Sequence, residues 1–457
     1  MTPLPSPRWV RWAGLALLAL GVMAGGCRQT RELLHERPTF KDNIRILIWK
    51  NYLPPDVIFD FEDEFGIGVV VEYFDSNDQL LDRLANNALP DRDQHYDLVM
   101  PSSFKAKEMK ALLSPLTAKN IPNLTNLDTD AYNSKFDLTN EFFVPYIWGS
   151  TGIGYRSDAV DGIPKSWANF FLSPAKIAAA PAVVVNVPPG TTPPPDPAKA
   201  GAPREEIRMT NDQHTAHNKK RRIALLDDAR FTLGCALIYL KHPLETAGEK
   251  EIQEAADLIR GIADEVVYID GDNVPGLLAR KELEMDMVMA WSGDVTRAMR
   301  GFAAPDETQK DAHPKKNNVF IKNTQVRLAL PTEGTLLFRD GFAVPKGANN
   351  QKWAEEFINF LLRPEIAGRV TNYSDYANTL RQEKVMPFVD RFVTNGASYF
   401  THPAGSKFNF TFDDIPPEAE AIYRTVWKNL KASIPVQPYP EIKEKLYPAY
   451  PLTAGGQ

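Results

Sequence analysis

The sequence predicts an α/β protein, because strand-like and helix-like patterns alternate along the chain. Apolar segments rich in β-branched and aromatic residues, as strands are, occupy residues 44–49, 69–74 and 96–100. Between the first two segments, apolar residues recur on one helical face, starting at Pro55 and ending before Gly66. Strands that alternate with helices in this order favour parallel βαβ units.

The alternation continues in the second half of the chain. A strand leads to Asp227 and Asp228, and such carboxylates suit the N-terminus of a helix. Residues 251–263 have the spacing of an amphipathic helix, and residues 286–291 form a short apolar run typical of a strand. The same fold class is therefore predicted for both halves.

Two polar stretches interrupt the pattern. Residues 173–222 contain a Pro-Pro-Pro run and many alanines, and end in four consecutive basic residues. Such a composition buries little apolar area, so we predict a mobile surface insertion there. Residues 303–325 are predicted to be a second insertion of the same kind.

Length and charge limit the functional classes. The chain has 457 residues, which allows two or three domains with a sizeable core. Its 52 basic and 58 acidic residues give a formal net charge of −6. This balance provides no electrostatic basis for binding nucleic acid.

The N-terminus has the features of an export signal. Arg8 and Arg11 precede an apolar run at residues 13–24, which is shorter than the ~20 residues that a membrane-spanning helix needs. Two glycines and Cys27 follow, and this end resembles a bacterial lipobox, although Ala24 stands where leucine is usual. The resemblance implies cleavage before Cys27 and lipidation of its sulfur. A plain signal peptide or an uncleaved anchor is the alternative.

The second of the two cysteines, Cys235, lies in an apolar stretch. If Cys27 is lipidated, no internal disulfide can form. Cys235 is then predicted to be a small buried hydrophobic residue.

Motifs of common enzymes are absent from the sequence. There is no dinucleotide-binding or phosphate-binding glycine loop, no HExxH, no GxSxG and no CxxC. The seven histidines are scattered, and the pair His214 and His217 falls within the first insertion. We therefore predict no enzymatic activity, no cofactor and no metal site.

Aromatic and acidic residues occur where the predicted strands end. Trp49 and Tyr52 follow the first strand, and Trp291 and Asp294 follow the strand at residues 286–291. Ligands of open α/β sheets bind at the carboxyl ends of strands. Aromatic faces attract ammonium groups, and carboxylates form charge-assisted hydrogen bonds with ammonium groups. This pattern therefore suits a ligand with terminal amines and an apolar middle. Each aromatic taken singly is more often a core residue than a ligand contact.

Seven stretches together resemble the periplasmic spermidine/putrescine-binding proteins. They are residues 49–55 (WKNYLPP), 97–102 (DLVMPS), 145–155 (PYIWGSTGIGY), 226–230 (LDDAR), 291–295 (WSGDV), 331–345 and 360–364 (FLLRP). The resemblance extends over residues 44–433, interrupted by the two insertions.

The resemblance implies a two-lobed periplasmic-binding-protein fold of type II, in which each lobe is a mixed sheet flanked by helices and the ligand lies between the lobes. The implied segments are a signal peptide at 1–27, a tether at 28–43, a first lobe at 44–147 plus 342–390, a second lobe at 148–341 plus 391–433, and a tail at 434–457. The implied partners are a polyamine, the permease subunits of an ABC importer, and the membrane through the lipid anchor, which places the protein in the periplasm. Hinge closure of the lobes would capture the ligand.

The ligand contacts implied by the resemblance come from both lobes. They are Trp49, Asn51, Tyr52, Ser102, Phe104, Asp228, Trp291, Asp294, Phe338, Asp340 and Tyr376. In this scheme Asp340 holds an amine, and the contexts of Asp294 and Tyr376 are those of putrescine-type members.

Three positions depart from the pattern of these proteins. Phe231 replaces a glutamate, Asn51 replaces an acid, and Lys50 adds a cation. Fewer anions weaken the attraction for a multiply charged amine. Two alternatives to polyamine import therefore stay open: the same fold binding a different small solute, and a surface lipoprotein that acts as a sensor rather than in transport.

Overall fold

The computed structural model describes residues 39–437, except 75, 89–90, 92–93, 130–135, 180–219, 272, 304–319, 322–323, 395–408, 412–414 and 416. The predicted signal peptide, Cys27, His214 and His217 lie outside the described residues, as do most of the predicted tether and tail. Among the described helices, none is long and apolar enough to cross a membrane.

The strands, in chain order, are β1 (Asn43–Trp49), β2 (Gly68–Phe74), β3 (Leu98–Val99), β4 (Leu113–Ser114), β5 (Val144–Arg156), β6 (Ile223–Leu226), β7 (Val266–Asp270), β8 (Met287–Trp291), β9 (Phe302–Ala303), β10 (Phe320–Ile321), β11 (Val326–Ala329), β12 (Thr335–Phe342), β13 (Val344–Pro345), β14 (Ala377–Asn378) and β15 (Asn409–Phe410).

The α-helices are α1 (Pro55–Phe65), α2 (Asn77–Leu84), α3 (Ser103–Glu108), α4 (Ala168–Phe171), α5 (Pro174–Ala179), α6 (Ala229–Leu240), α7 (Glu249–Arg260), α8 (Val274–Ala279), α9 (Ser292–Arg300), α10 (Gln351–Leu361), α11 (Pro364–Ser374), α12 (Gln382–Val385), α13 (Arg391–Thr394) and α14 (Pro417–Ser433).

The first lobe contains the predicted parallel βαβ arrangement. Strand β1 lies between β2 and β3 and pairs with both in parallel. Helix α1 begins at Pro55, and Gly66 ends it in the left-handed conformation with φ 68°, as predicted. The buried ring of Phe61 packs edge-on against Phe357 and Phe360 of α10. This packing ties α1 to the late part of the chain.

The second lobe is built on a mixed eight-stranded sheet. Its order is β15-β12-β5-β8-β6-β7, and β11 and β14 also pair with β5. Strands β6, β7 and β8 are parallel neighbours, whereas β5 is antiparallel to β8. Helix α14 packs against α6 and α7 on this lobe. Cys235 of α6 is buried as predicted, and burial raises the pKa of its thiol to about 12.

Two antiparallel strands carry the chain between the lobes. All 13 residues of β5 are buried, and β12 pairs with it from Leu337 opposite Ser150 to Phe342 opposite Val144. The register shifts between Asp340 and Gly341. Directly after β12, Ala343 bridges to Val99 of the first lobe. The register shift therefore lies where the chain re-enters the first lobe.

Part of each predicted insertion has regular structure, which the sequence analysis did not anticipate. Residues 174–179 form α5, and residues 180–219 lie outside the described part of the chain. The two ends of the second stretch pair as β9 and β10. Short segments of this kind gain their order from neighbouring strands and helices, which composition alone does not reveal.

We predict that Gly341→Ala destabilises the protein. A Cβ atom at this position would lie 2.3 Å from the carbonyl oxygen of Val144 and 2.6 Å from the ring of Phe143. Because both neighbours belong to a buried strand connection, the free energy of unfolding should fall by about 1–3 kcal/mol. Urea denaturation measures the change. Gly271→Ala is the control, since its Cβ would meet its nearest atom at 3.9 Å, and an equal loss in both variants would contradict the prediction.

Candidate ligand-binding cleft

A cleft of about 360 Å³ lies between the two lobes. The first lobe contributes the segment after β1, together with α2 and α3. The second lobe contributes the N-terminal ends of α6 and α9 and one face of α14. The strand ends singled out in the sequence therefore do face one shared space.

Eight of the eleven predicted contacts line the cleft: Trp49, Asn51, Tyr52, Phe104, Asp228, Trp291, Asp294 and Tyr376. The other three, Ser102, Phe338 and Asp340, are buried and contact the lining residues. The structure thus brings all eleven into or directly against one cleft. Their roles toward a ligand stay a prediction.

Asp340 is a buried carboxylate at the inner end of the cleft. Its side chain accepts hydrogen bonds from the hydroxyl of Tyr52 at 2.8 Å and from the hydroxyl of Ser102 at 2.7 Å. Asn77 in turn donates to the oxygen of Ser102 at 3.1 Å. Burial raises the pKa of Asp340 to about 6, although both hydroxyl donors counteract the rise. Among the residues that the structure describes, no basic side chain is paired with this carboxylate, so the loss of water by its ionised form is not offset by a cation.

The aromatic residues form a continuous wall beside this carboxylate. Phe338 packs edge-on against Trp291, with ring centroids 5.0 Å apart, and against Tyr376 at 5.6 Å. Tyr376 also meets Tyr52 edge-on at 5.6 Å. Phe231, which the sequence analysis treated only as a lost acid, packs on Trp291 at 4.4 Å and so extends the wall.

A second carboxylate, Asp294, projects from the first turn of α9. A guanidinium nitrogen of Arg297 lies 3.7 Å from its Oδ1. Burial raises the pKa of the neighbouring Tyr376 well above its usual value, and Asp294 adds to this shift. The ring of Tyr376 can pack this closely against the start of α9 only because residue 293 is glycine, since a Cβ there would lie 2.4 Å from that ring.

The outer end of the cleft contains charges of both signs. Asp228 caps α6 by accepting the backbone N–H of Phe231 at 3.0 Å, as its predicted position before a helix implied. Burial raises the pKa of this carboxyl group. Asn51 is exposed and adopts φ 62°, a left-handed conformation that asparagine tolerates better than most residues. Lys50 is exposed but does line the cleft, a point that the sequence left open.

Four charged cleft residues were not predicted from the sequence. Arg230, Lys105, Glu420 and Arg424 line the cleft, and the last two come from α14. Arg230 lies within the LDDAR stretch at residues 226–230, but the sequence of that stretch does not show where the arginine side chain points. Nothing in the spacing of α14 indicates that the helix reaches a site formed almost 200 residues earlier in the chain.

Comparison with known proteins assigns the family. Residues 56–382 match the family model described as bacterial extracellular solute-binding protein, and this range is more than half of the chain. The chain belongs to this family. No group of His, Cys, Asp and Glu residues within the described ranges is arranged to hold a metal ion.

Several relatives share most of their length with this chain. The putrescine-binding periplasmic protein SpuD of Pseudomonas aeruginosa is 28% identical over 92% of this chain and 97% of its own length. The putrescine-binding periplasmic protein PotF of Escherichia coli is 27% identical over 85% of this chain and 91% of its own.

Solved structures show the same two-lobed fold. A putative spermidine/putrescine ABC transporter from Listeria monocytogenes has a TM-score of 0.64 at 22% identity, covering 86% of this chain and 99% of that chain. The Tp0655 (TpPotD) lipoprotein of Treponema pallidum has a TM-score of 0.62 at 20% identity, covering 85% and 99%. The fold is the two-lobed type II arrangement that the sequence motifs implied.

We predict that Tyr52→Phe raises the pKa of Asp340 further. The substitution removes one of two hydroxyl donors and leaves the carboxylate with the bond from Ser102. A hydrogen bond to a charged group contributes about 1.5–3 kcal/mol, which corresponds to one to two pH units. Carbon-detected NMR titration of the carboxyl groups measures the shift. Tyr146→Phe is the control, since that hydroxyl bonds to Leu361 instead, and an unchanged Asp340 in Tyr52→Phe would refute the role.

Proposed function

We propose that this protein is the substrate-binding component of an ABC importer, and that it captures a polyamine of the putrescine or spermidine class between its lobes. The observation that carries the proposal is the buried carboxylate of Asp340, with a pKa of about 6, beside an aromatic wall. Two relatives that match 92% and 85% of this chain are named as putrescine-binding proteins, which supports the same ligand class.

An ammonium group supplies what the inner end of the cleft lacks. It would offset the desolvation of Asp340 and form a charge-assisted hydrogen bond with it. The methylene chain of the ligand would lie against the aromatic wall that contains Trp291 and Phe338. An ammonium group over the face of one of these rings would gain a further ~0.5–2 kcal/mol. The buried carboxylate, its raised pKa and the aromatic wall occur together at this end of the cleft.

The cellular setting is part of the proposal. We infer that the protein is exported, that Cys27 carries the lipid anchor, and that a membrane permease receives the ligand from the closed lobes. The lipobox-like sequence at the N-terminus supports the anchor, and a lipoprotein is among the proteins of the same fold. Membership in a solute-binding family and the lack of enzyme motifs in the sequence support a binding protein without catalysis.

A different small solute is the second candidate. Lys50 lines the cleft, and a phenylalanine at position 231 stands where an acid would attract another amine. These residues favour a ligand with less positive charge than a polyamine. Isothermal titration with putrescine, spermidine and a neutral-tailed monoamine distinguishes the candidates, because only the first proposal requires heat with a polyamine.

We predict that Asp340→Asn abolishes high-affinity polyamine binding. Asparagine keeps the size of the side chain but removes its charge, and its NH₂ group donates where one carboxylate oxygen accepts from a hydroxyl. Affinity should therefore fall at least about a hundredfold, or ~2.7 kcal/mol. Isothermal titration measures the loss, and circular dichroism verifies folding. The control is Asp257→Asn on α7, whose carboxylate is 57% exposed and distant from the cleft. Equal affinity in wild type and Asp340→Asn would refute the assigned role.

We predict that affinity decreases as the pH falls through about 6. Asp340 has a raised pKa, so its ionised form predominates at pH 7.5 and its protonated form at pH 5, where it no longer attracts an ammonium group. With the amine charged throughout, affinity should be about tenfold lower at pH 5 than at pH 7.5.

Linkage gives the matching sign for stability. The pKa of Asp340 is higher in the folded protein than in the unfolded chain. Protonation of Asp340 therefore increases the free energy of unfolding of the ligand-free protein as the pH falls from 7 toward 4. The increase in melting temperature caused by a polyamine should therefore be larger at pH 7.5 than at pH 5. Differential scanning calorimetry tests this, and a larger increase at pH 5 would contradict it.

A further inference from the structure

The outer end of the cleft contains a site shaped for a cation, and a side chain of the protein occupies it. The guanidinium carbon of Arg230 lies 4.0 Å from the ring centroid of Phe104. A guanidinium nitrogen bonds to Glu108 at 2.7 Å and also to Glu420. Arg230 is 6% exposed. An aromatic face with two carboxylates is the environment that binds an ammonium group of a ligand.

We call the ring of Phe104 and the carboxylates of Glu108 and Glu420 the cation cage. Arg230 reaches this cage from the opposite lobe. It belongs to the first turn of α6 in the second lobe, whereas Phe104 and Glu108 belong to α3 in the first lobe. Glu420 comes from α14. All of these except Glu108 are cleft-lining residues, so the cage opens on the same space as the proposed amine site.

The neighbouring carboxylates are also engaged by cations of the chain. Lys105, which is 3% exposed, lies 2.8 Å from Glu108 and 3.3 Å from Asp78. Arg424 lies 3.1 Å from Asp78, on the exposed side of the cluster. An extra ammonium group arriving here would meet carboxylates that already have positive partners, and two buried cations beside them.

We propose that Arg230 fills, from within the chain, the subsite in which an additional ammonium group of a longer polyamine would bind. The cleft therefore selects a diamine over a triamine or tetraamine. The inference rests on the proposed function, since it concerns the length and charge of the ligand in that same cleft. Asp340 and Asp294 are the buried carboxylates at the inner end of the cleft. Asp228, two residues before Arg230 in the chain, already accepts a hydrogen bond with one oxygen as the cap of α6.

The test is the ratio of two dissociation constants, for spermidine and for putrescine, measured by isothermal titration. In the wild-type protein the ratio should be at least ten. In Arg230→Gln it should fall at least tenfold, because the cage becomes available to the third ammonium group. The ratio cancels any loss of lobe closure that affects both ligands alike.

Arg260→Gln is the control. It also removes one positive charge from the second lobe, but Arg260 is 42% exposed, pairs with Asp257 on α7 and does not line the cleft. The ratio should stay at its wild-type value in this variant.

The outcomes separate this inference from the function on which it rests. Wild-type protein that binds spermidine as tightly as putrescine overturns the inference and leaves polyamine capture intact. An unchanged ratio in folded Arg230→Gln, or an equal fall of the ratio in Arg260→Gln, overturns it as well. Absence of binding to every polyamine by the wild-type protein refutes the proposed function itself.

Discussion

The desolvation of one carboxylate, Asp340, is the constraint around which the cleft is organised. Removing an ionised carboxylate from water is costly unless donors or a cation replace the lost hydration. Tyr52 and Ser102 supply two donors, and the pKa nevertheless remains near 6. The free protein therefore retains an electrostatic cost, which a cation at the proposed amine site would offset. The surrounding rings exclude water and so strengthen that attraction.

The position of this carboxylate couples the binding site to the connection between the lobes. Asp340 lies on β12 immediately before the shift in strand register, and Ser102 pairs with it as an isolated bridge. The donors come from segments that follow β1 and β3 of the first lobe, whereas the aromatic wall extends into the second lobe. A change in the angle between the lobes therefore alters the surroundings of the charge itself, which is how a hinge can respond to a ligand.

Local patterns predicted the fold and the inner part of the cleft well. The ends of α1, the cap formed by Asp228 and the residues at strand ends follow from short-range rules, and the structure places them as expected. Composition did not indicate the short ordered segments at the edges of the two polar stretches, which are α5 and the pair of β9 with β10. The charged outer end was also beyond prediction, because Arg230 and Glu420 are brought together by the packing of α14 on the second lobe.

The placement of α14 has a consequence for the order in which the molecule is completed. This helix spans residues 417–433, and it forms one wall of a cleft whose other walls are encoded much earlier. Contacts of such long sequence separation form late, since the chain between them must first be brought together. A nascent chain that lacks its last fifty residues can form βαβ units but has no complete cleft. A chain that still lacks α14 would have a cleft open on that side, without the carboxylate of Glu420 beside Arg230.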